Sequence, residues 1–419
     1  MVVNGEIITI GDELISGRVC DTNAFFLSAR VSSFGIKITA ISSVGDDSDR
    51  IADVLGRSVE RSEFVIVSGG LGPTDDDITA SAAAKFFGLP LELDEGFLKA
   101  IRHSLESRGL PWIESYKKMA WLPKGAALLD PTEACGFYLY SGGVPVFFLP
   151  GIPREVQLLA ESRVLPILLS RDNDKQVVRQ RVFKLFGPQE AKIGEVLDGV
   201  TDGESDAVVG FYPNFPENHV TVTVRDASEE KADEKLSRIE HEVDRRLGEF
   251  VVAKDESTLE ETVGELLRAR GWHLAVAESC TGGLISQRIT SVSGSSDYFD
   301  RGMVVYSNRA KHELLGVSWD TLNQHGAVSH ETADAMAVGA RENSKVDIAL
   351  ATTGIAGPTG GTDTKPVGTV YVALSTAAGV RSKRYQFYGR RSEITALTAQ
   401  VALSWLRRYL TDDTFLFRH

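Results

Sequence analysis

The feature that most constrains the fold is a repeated alternation of short apolar runs with helical patterns. Near the N-terminus the runs EIITIG, KITAISSVG and FVIVSGG each precede a helical segment, and the same alternation resumes after Ser257. Short apolar strands that alternate with helices are typical of a mostly parallel sheet covered on both faces. The sequence therefore predicts an α/β fold in both stretches, with GFYLYSGGVPVFFLPG (136–151) as a hairpin that turns at Gly142 and Gly143.

The length of 419 residues suggests more than one domain. We expect three, over residues 1–171, 172–256 and 257–419. The middle segment has a β-α-β-β-α-β pattern, which predicts a small α+β domain. Ser257 and Glu260 have the spacing of a capping box at the start of the third segment.

Composition excludes several classes of protein. The formal charge of −13 argues against a nucleic-acid scaffold, because phosphate backbones demand a basic face. No window approaches the roughly 18 apolar residues that a membrane span requires. The three scattered cysteines fit a reducing compartment, and the first residues resemble a strand rather than a signal peptide. We therefore expect a cytoplasmic protein without a nucleic-acid or membrane partner.

The stretch HLAVAESCTGGLISQRITS (273–291) places Ser279 between a buried strand and a helix. A helix N-terminus offers unpaired N–H groups that favour negative charge, and Gly282 and Gly283 allow a ligand to approach the backbone. A hydroxyl beside such donors suits acyl transfer. The alternative is an ordinary helix start, with Ser279 or Thr281 as the cap and Cys280 buried.

A serine nucleophile needs a base. The second junction, VVYSNRAKHELLG (304–316), carries Tyr306 and Lys311, and burial can lower the pKa of a lysine enough for this role. The loop TTGIAGPTGGTDTKPVGT (352–369) is glycine-rich and could hold a phosphate, with Lys365 adding charge. The alternative, if each residue is taken alone, is that Lys311 is a solvated lysine on a helix and that Tyr306 is an aromatic residue of the core.

The motifs AESCTGG, FDRGMVVYSNRAK, HGAVS and GIAGPTGG followed by KPVGT resemble the C-terminal domain of the CinA, or competence-damage-inducible, family over residues 257–410. That domain is a nicotinamide mononucleotide amidohydrolase. The resemblance implies Ser279 as nucleophile, with Tyr306 and Lys311 completing the catalytic group and no cofactor. The implied substrate contacts are Glu278, Cys280, Thr281, Gly282, Gly283, Gly354, Ala356, Gly357, Lys365 and Arg391.

One stretch of the third segment departs from this family. The family usually has Gly-Asp-Arg-x-x-x-Arg before the last helix, whereas GRRSEIT (389–395) has Arg390 and Thr395 at two of these positions. Arg391 is retained. A change in phosphate binding is the expected consequence.

The N-terminal segment contains the loop SGGLGPTDDDIT (68–79) after a strand. Its glycines suit a phosphate, but three aspartates would repel one unless a divalent metal bridges them. GDEL (11–14), DTN (21–23) and GDD (45–47) supply further polar groups. Each acidic pair alone fits a favourable charge at a helix N-terminus.

These motifs resemble the molybdopterin-binding-like α/β domain of the same family, which is associated with ADP-ribose pyrophosphatase activity dependent on a divalent metal (Co²⁺ or Mg²⁺) and K⁺. The implied metal ligands are Asp12, Glu13, Asp47 and Asp77, and the implied substrate contacts are Asn23, Gly69, Gly70, Gly72 and Thr74. The segment LLDPTEACGFYL (128–139) departs from the family, with Glu133 in place of threonine and Cys135 in place of proline.

The middle segment resembles the KH-like insert of full-length family members, but it lacks a Gly-x-x-Gly clamp, so RNA binding is not expected.

The leading hypothesis is a homodimeric, bifunctional enzyme that deamidates nicotinamide mononucleotide and hydrolyses ADP-ribose. One alternative is a protein that binds molybdopterin or inserts a cofactor. Another is a competence or recombination accessory factor, which the negative charge makes the weakest of the three.

Overall fold

The computed structural model describes residues 3–130, 135–171, 176–204 and 206–414. The chain forms two compact units, residues 1–179 with 225–232 and residues 180–224 with 233–419. These two units do not correspond to the three segments expected from the sequence. The boundaries of the three segments therefore stay a prediction. Within the described ranges, no helix has the length and apolar character needed to cross a bilayer.

The strands of the N-terminal segment are β1 (Asn4–Ile10), β2 (Lys37–Val44), β3 (Phe64–Ser68), β4 (Leu91–Leu93), β5 (Trp121–Pro123), β6 (Ala127–Leu128), β7 (Phe137–Ser141) and β8 (Val144–Leu149). One sheet has the order β2-β1-β3-β8-β7-β6, and β4 and β5 form a separate antiparallel pair. The pairs among β1, β2, β3 and β8 are parallel, whereas β6 and β7 run antiparallel to their neighbours. The central strand β3 is buried throughout and the edge strand β2 alternates, as their apolar patterns predict.

The helices of this segment are α1 (Asp12–Ile15), α2 (Thr22–Ser33), α3 (Ser48–Arg61), α4 (Thr79–Phe87), α5 (Glu95–Ser107), α6 (Pro153–Leu159) and α7 (Leu165–Ser170). They cover both faces of the sheet: Ile8 and Phe148 belong to one core, and Ile7 and Phe147 to the other. Neighbouring strand residues point to opposite faces, which explains this division. The predicted parallel sheet and the hairpin at 136–151 are both confirmed.

The middle segment contains β9 (Val177–Leu185), α8 (Glu190–Val196), β10 (Ala207–Asn214), β11 (Glu217–Asp226), α9 (Glu229–Leu247) and β12 (Val251–Lys254). The strands form a sheet in the order β10-β11-β9-β12. Apolar positions alternate along β11, with Val220, Val222 and Val224 buried, which is typical of a sheet with one covered face. The predicted β-α-β-β-α-β order is confirmed.

The C-terminal segment has strands β13 (Leu274–Glu278), β14 (Phe299–Val304), β15 (Ile348–Gly354), β16 (Thr369–Thr376) and β17 (Gly379–Gln386), in the sheet order β14-β13-β15-β16-β17. Its helices are α10 (Leu259–Arg270), α11 (Leu284–Thr290), α12 (Asn308–Leu315), α13 (Trp319–His325), α14 (His330–Ser344) and α15 (Arg391–Thr411). Strands β13, β14 and β15 are parallel, and β16 and β17 are antiparallel additions. The carboxyl ends of β13, β14 and β15 lie at one edge of the sheet, and open α/β sheets bind their ligands at this edge.

The capping box at the start of α10 differs from the predicted one. Thr258, rather than Ser257, is the N-cap: its hydroxyl accepts from the Glu261 amide at 3.2 Å, and the Glu261 carboxylate accepts from the Thr258 amide at 2.8 Å. Both pairs of residues have the same spacing, so the pattern located the helix but missed its register by one residue.

Candidate active site

Ser279 lies immediately after β13, the middle one of the three parallel strands. Glu278 pairs in register with Val304 of β14 and Thr352 of β15, so the residues that follow these positions share one edge of the sheet. Ser279 is fixed there by its own amide, which donates to the Thr352 carbonyl at 3.0 Å. The strand ends thus bring together the three stretches that the sequence singled out.

The amine of Lys311 lies beside the Ser279 hydroxyl. Lys311 Nζ is 3.0 Å from Ser279 Oγ, and it also donates to the carbonyl oxygens of Val305 at 2.8 Å and Tyr306 at 3.3 Å. The side chain of Lys311 is 1% exposed, and Ser279 is 7% exposed. Burial lowers the pKa of Lys311 to about 8, because the ammonium form loses hydration that carbonyl oxygens only partly replace. The pair therefore has the geometry of a nucleophile and its general base.

Glu278 has a different role from the predicted one. Its buried carboxylate accepts hydrogen bonds from the amides of Gly283 at 3.0 Å, Ile285 at 3.1 Å and Ser286 at 2.8 Å, and from the Ser286 hydroxyl at 2.6 Å. These bonds occupy the N-terminus of α11. Glu278 is thus a positioning residue rather than a substrate contact, and the α11 amides are not the oxyanion donors that the sequence suggested.

Two other amides remain beside the nucleophile. Within the described ranges, no protein oxygen accepts a hydrogen bond from the N–H of Cys280 or Thr281. The Thr281 hydroxyl is 2.8 Å from that of Thr352 and anchors this turn to the neighbouring strand. Positive φ angles at Gly282 (62°) and Gly283 (102°) let the chain bend back into α11. The turn can therefore present amides to an oxygen held at Ser279.

The thiol of Cys280 is part of the hydrophobic core. It packs with Val276 and Ile285, and burial raises its pKa to about 12. A thiol with that pKa stays protonated and is a poor nucleophile. Contact between Cys280 and the substrate therefore stays a prediction, and the buried thiol leaves the backbone as the part of the residue that could make it.

Tyr306 and Arg391 form a second group of polar side chains. The Tyr306 side chain is 61% exposed, and its hydroxyl accepts a hydrogen bond from Arg391 at 2.8 Å. Arg391 also donates to the Gly357 carbonyl at 2.8 Å. Among the described contacts, the Tyr306 phenol makes no hydrogen bond to Ser279 or Lys311. The backbone carbonyl of Tyr306, in contrast, accepts a hydrogen bond from Lys311. A direct proton transfer between this phenol and the serine–lysine pair is not part of the observed geometry.

The glycine-rich loop after β15 contacts Arg391 through the Gly357 carbonyl. Gly354 ends the strand, Ala356 is buried with its methyl group in the core, and Gly357 has a φ of 78°. Lys365 Nζ donates to the His325 carbonyl at 2.9 Å, which uses one of the three N–H groups of its ammonium. The role of Lys365 in substrate binding stays a prediction.

The N-terminal segment contains a cavity of about 530 Å³. The glycine loop 69–72 forms one wall and side chains of α5 form an apolar wall; the lining includes Glu13, Asp46, Asp76, Asp77, Phe97, Ile101, Leu105, Arg108, Tyr116, Met119, Cys135 and Glu155. Gly69 is required because a Cβ there would lie 2.2 Å from the Ile10 carbonyl oxygen. The volume is within the range of small-molecule sites.

The predicted metal ligands are not assembled as expected. Asp47 caps α3 by accepting from the amides of Asp49 and Arg50, both at 3.0 Å, and it is the neighbouring Asp46 that lines the cavity. Burial raises the pKa of Asp46, and the charges of Asp12 and Glu13 act in the same direction, although the Asp12 amide donates to it. Across the described ranges, no three His, Cys, Asp or Glu side chains form a group that could hold a metal ion. The described positions of Asp12, Glu13, Asp47 and Asp77 thus do not form such a group, and metal binding by these residues stays a prediction.

Two residues of the N-terminal segment that were predicted to contact substrate make hydrogen bonds within the protein. The Asn23 side chain donates to Ser68 Oγ at 3.1 Å and to the Gly151 carbonyl at 2.8 Å. The amide and hydroxyl of Thr74 both donate to the Asp77 carboxylate, at 2.8 and 2.6 Å. Neither Asn23 nor Thr74 belongs to the described lining of the cavity, whereas Gly69, Gly70 and Gly72 do. The departure at Glu133 falls outside the described residues.

Comparison with known proteins gives the family. Three family models match in order: "Probable molybdopterin binding domain" over residues 6–170, "Damage-inducible protein CinA KH domain" over 180–253 and "CinA C-terminal domain" over 256–410. A CinA-like protein of Geotalea uraniireducens (strain Rf4) is 45% identical over 405 residues, which cover 96% of each chain. The chain belongs to the CinA family.

Other CinA relatives extend this similarity. A putative competence-damage inducible protein of Caldicellulosiruptor bescii is 41% identical over 409 residues, which cover 97% of this chain and 99% of the relative. Among solved structures, the competence/damage inducible protein CihA from Agrobacterium tumefaciens is 43% identical, covers 36% of this chain and 96% of its own, and has a TM-score of 0.34. The three family models, which match in order, show the three-domain α/β organisation expected from the sequence, with a molybdopterin-binding-like, a KH-like and a CinA C-terminal domain.

Sequence reasoning missed several residues of these CinA sites. Asp46 is adjacent to the predicted Asp47, and the start of α3 at Ser48 makes Asp47 the helix cap and leaves Asp46 in the lining of the cavity. Arg108 and Tyr116 lie beyond the glycine loop in sequence and carry no motif. The role of Glu278 depends on how the chain turns at Gly282 and Gly283, which the residue types alone do not specify.

Proposed function

We propose that the C-terminal segment hydrolyses the amide of nicotinamide mononucleotide to nicotinate mononucleotide and ammonia. The observation that carries this proposal is the buried Lys311 amine 3.0 Å from the Ser279 hydroxyl. A lysine whose pKa is about 8 is partly neutral near physiological pH, so it can act as a general base. The family resemblance supplies the substrate, and the geometry supplies the chemistry.

In the first half-reaction, neutral Lys311 takes the proton of Ser279 Oγ as this oxygen attacks the amide carbon. The tetrahedral intermediate carries its negative charge on the former carbonyl oxygen. The protonated Lys311 then gives its proton to the leaving nitrogen, ammonia departs, and an ester on Ser279 remains. In the second half, Lys311 removes a proton from water, which attacks the ester, and the serine hydroxyl is restored with release of the carboxylate.

Two groups of residues assist these steps. The amides of Cys280 and Thr281, from which no oxygen of the described residues accepts a hydrogen bond, are the proposed oxyanion donors, and one such donor contributes about 10²–10³ in rate. Arg391, held by Tyr306 and Gly357, offers a cation for the substrate phosphate at the same edge. Tyr306, which the resemblance places in the catalytic group, serves in this account as an exposed contact for the substrate.

The test is release of ammonia from nicotinamide mononucleotide by the full-length chain. Ser279→Ala should abolish it, whereas Ser291→Ala, which removes an exposed hydroxyl bonded to the Arg288 carbonyl, should not. Retention of most of the wild-type rate by Ser279→Ala would remove this serine from the mechanism.

A second activity is proposed for the N-terminal segment, which we infer cleaves ADP-ribose to AMP and ribose 5-phosphate. The cavity combines a glycine loop for phosphates, the Arg108 side chain and an apolar wall for a base. A divalent metal, Co²⁺ or Mg²⁺, would take most of its ligands from substrate phosphates and water, as Mg²⁺ often does, because the protein offers no three-ligand group within the described ranges. K⁺ is expected as a second requirement.

AMP formation with each metal, in the presence and absence of K⁺, tests this activity. Absence of AMP above background would leave ligand binding as the role of the cavity. Co-purified pterin absorbance would then favour the molybdopterin-binding alternative, and salt-sensitive DNA binding would favour the competence accessory alternative.

We also propose a cytoplasmic homodimer. The unpaired state of Cys20, Cys135 and Cys280 supports a reducing compartment. Sedimentation equilibrium of the full-length chain should give twice the monomer mass, and a monomer mass at all concentrations would contradict the dimer.

A further inference from the structure

Glu155, in the first turn of α6, lines the cavity of the N-terminal segment beside the glycine loop. Strand β8 ends at Leu149, whose carbonyl accepts from the Gly69 amide at 3.1 Å. Gly151 packs against the same loop, since a Cβ there would lie 3.7 Å from the Gly69 Cα. The Glu155 amide donates to the Ile152 carbonyl at 3.0 Å. Glu155 is therefore held at the edge of the sheet where the glycine loop would bind phosphates.

The Glu155 carboxylate lies close to two other residues of the cavity lining, Cys135 and Arg108. Burial, and then the charge of Glu155, raises the pKa of the Cys135 thiol to about 12. Burial also raises the pKa of Glu155 itself, and the nearby charge of Arg108 opposes this rise. The side chain of Glu155 is partly rather than fully buried, so a ligand in the cavity can reach its carboxylate.

This carboxylate has no hydrogen-bond donor among the described residues. The Arg108 guanidinium donates instead to the carbonyl of Ser104 at 3.1 Å and to its hydroxyl at 2.5 Å. Partial removal of a carboxylate from water costs free energy when no donor replaces the lost hydration. A ligand that brings hydrogen-bond donors to Glu155 would recover that cost.

The chemistry of a nucleotide indicates which of its groups meets Glu155. A phosphate would be repelled by the carboxylate, and the base is expected against the apolar side chains of α5, such as Ile101 and Leu105. That wall ends at Arg108, next to Glu155, so the ribose attached to the base comes nearest to the carboxylate. Ribose hydroxyls are donors, and an acidic residue binds a ribose 2′-hydroxyl in dinucleotide-binding sheets.

We propose that Glu155 accepts hydrogen bonds from the 2′- and 3′-hydroxyl groups of the adenosine ribose. Glu155 thereby makes the N-terminal cavity select nucleotides with a free ribose diol over those that are 2′-deoxy or 2′-phosphorylated. The choice of ligand rests on the ADP-ribose cleavage proposed above, and the selectivity at the 2′ position is an additional property of the same cavity.

Isothermal titration calorimetry on the full-length chain with Mg²⁺ tests the proposal, with AMP, 2′-deoxy-AMP and adenosine 2′,5′-bisphosphate as probes. Loss of the 2′-hydroxyl should weaken binding at least about tenfold relative to AMP, since hydrogen bonds to charged groups are among the stronger ones. The 2′-phosphate should weaken binding at least as much, because it brings negative charge to a carboxylate. Equal Kd values for AMP and 2′-deoxy-AMP, or no AMP binding at millimolar concentrations, would overturn the proposal.

A variant of Glu155 assigns this selectivity to its carboxylate. Glu155→Gln keeps the shape of the side chain but removes its charge, so the preference for AMP over each of the other two probes should fall to about threefold or less. Glu106→Gln, at an exposed position of α5 outside the described lining, should keep the wild-type preferences. Wild-type preferences in Glu155→Gln would show that another residue contacts the ribose and would contradict the proposal.

Two further measurements separate this role from the alternatives. Without ligand, Glu155→Gln should melt no lower than the wild type, because the charge that it removes has no donor among the described residues. A much lower melting temperature with wild-type probe preferences would show that Glu155 only supports the fold.

Cleavage assays distinguish this proposal from the proposed activity. Selectivity for AMP in a chain that does not cleave ADP-ribose would retire the pyrophosphatase activity and keep the role of Glu155. Equal kcat/KM values for ADP-ribose and 2′-phospho-ADP-ribose would keep the activity and overturn the role of Glu155.

Discussion

The Lys311 amine and the Ser279 hydroxyl are 3.0 Å apart in a part of the C-terminal segment where the lysine is almost fully buried. The other acceptors of the amine are the carbonyl oxygens of Val305 and Tyr306, and within the described ranges no carboxylate forms an ion pair with it. Burial without a counter-charge is what lowers the pKa of a lysine toward neutrality. The sheet edge thus creates both the proximity and the basicity that a serine nucleophile needs from its general base.

The first prediction concerns pH. Lys311 acts as a base only when it is neutral, and its lowered pKa is about 8. Below that value, kcat/KM for ammonia release should rise about tenfold per pH unit, and above it the rate should level off. Lys311→Arg should be inactive at every pH, because a guanidinium does not lose its proton, whereas exposed Lys192→Met should follow the wild-type profile. A profile that is flat between about pH 6 and pH 9 would exclude Lys311 as the base.

Glu278→Gln tests the positioning of the nucleophile. The carboxamide can still accept through its oxygen, but its NH₂ group faces N–H donors, so part of the α11 cap is lost. We expect a loss of about 2–3 kcal/mol in the free energy of unfolding and a fall in kcat with little change in KM. Glu265→Gln, at an exposed position on α10, should stay within about 0.5 kcal/mol of the wild type. Urea unfolding and steady-state kinetics measure both effects; unchanged stability and kcat would contradict this role.

The strands and helices around these sites could largely be predicted from the sequence, because buried parallel strands read as continuous apolar runs and each is followed by a helical stripe. Lys311 was named as a candidate base from a second strand-to-helix junction and from the family resemblance, and the structure brings it to Ser279 at the carboxyl edge of the parallel strands. Family resemblance, rather than pattern, supplied the substrate.

The residue roles that the sequence did not predict depend on where each side chain points rather than on its residue type. Glu278 could equally have faced a ligand, and only the turn at Gly283 directs it to the α11 amides. Asp46 and Asp47 are chemically identical, and the start of α3 decides which one becomes a cap.

The role of Arg391 is tested by comparing two substrates. If its guanidinium binds the substrate phosphate, Arg391→Gln should raise KM for nicotinamide mononucleotide by about 10–100-fold. For nicotinamide riboside, which lacks the phosphate, the change should be small. Arg381→Gln, at an exposed arginine of β17, is the matched control. Equal effects of Arg391→Gln on both substrates would instead indicate that Arg391 acts through Tyr306.

The two neighbouring aspartates of the N-terminal segment should behave differently. Asp46→Asn changes the lining of the cavity, so it should impair metal-dependent cleavage of ADP-ribose while relieving repulsion with Asp12 and Glu13. Asp47→Asn weakens the cap of α3, so it should lower the melting temperature and leave cleavage largely intact. AMP formation and thermal unfolding of the two variants check this assignment, and the reverse pattern would contradict it.

The central claim is that Ser279 attacks the amide and carries the acyl group. Capture of that intermediate by hydroxylamine tests it most directly, because hydroxylamine converts an acyl-serine to a hydroxamate that mass spectrometry detects. We predict that the wild-type chain forms the hydroxamate of nicotinate mononucleotide as it releases ammonia, and that Ser279→Ala forms neither product. Ammonia release by Ser279→Ala at the wild-type rate, with no hydroxamate from either protein, would contradict the account.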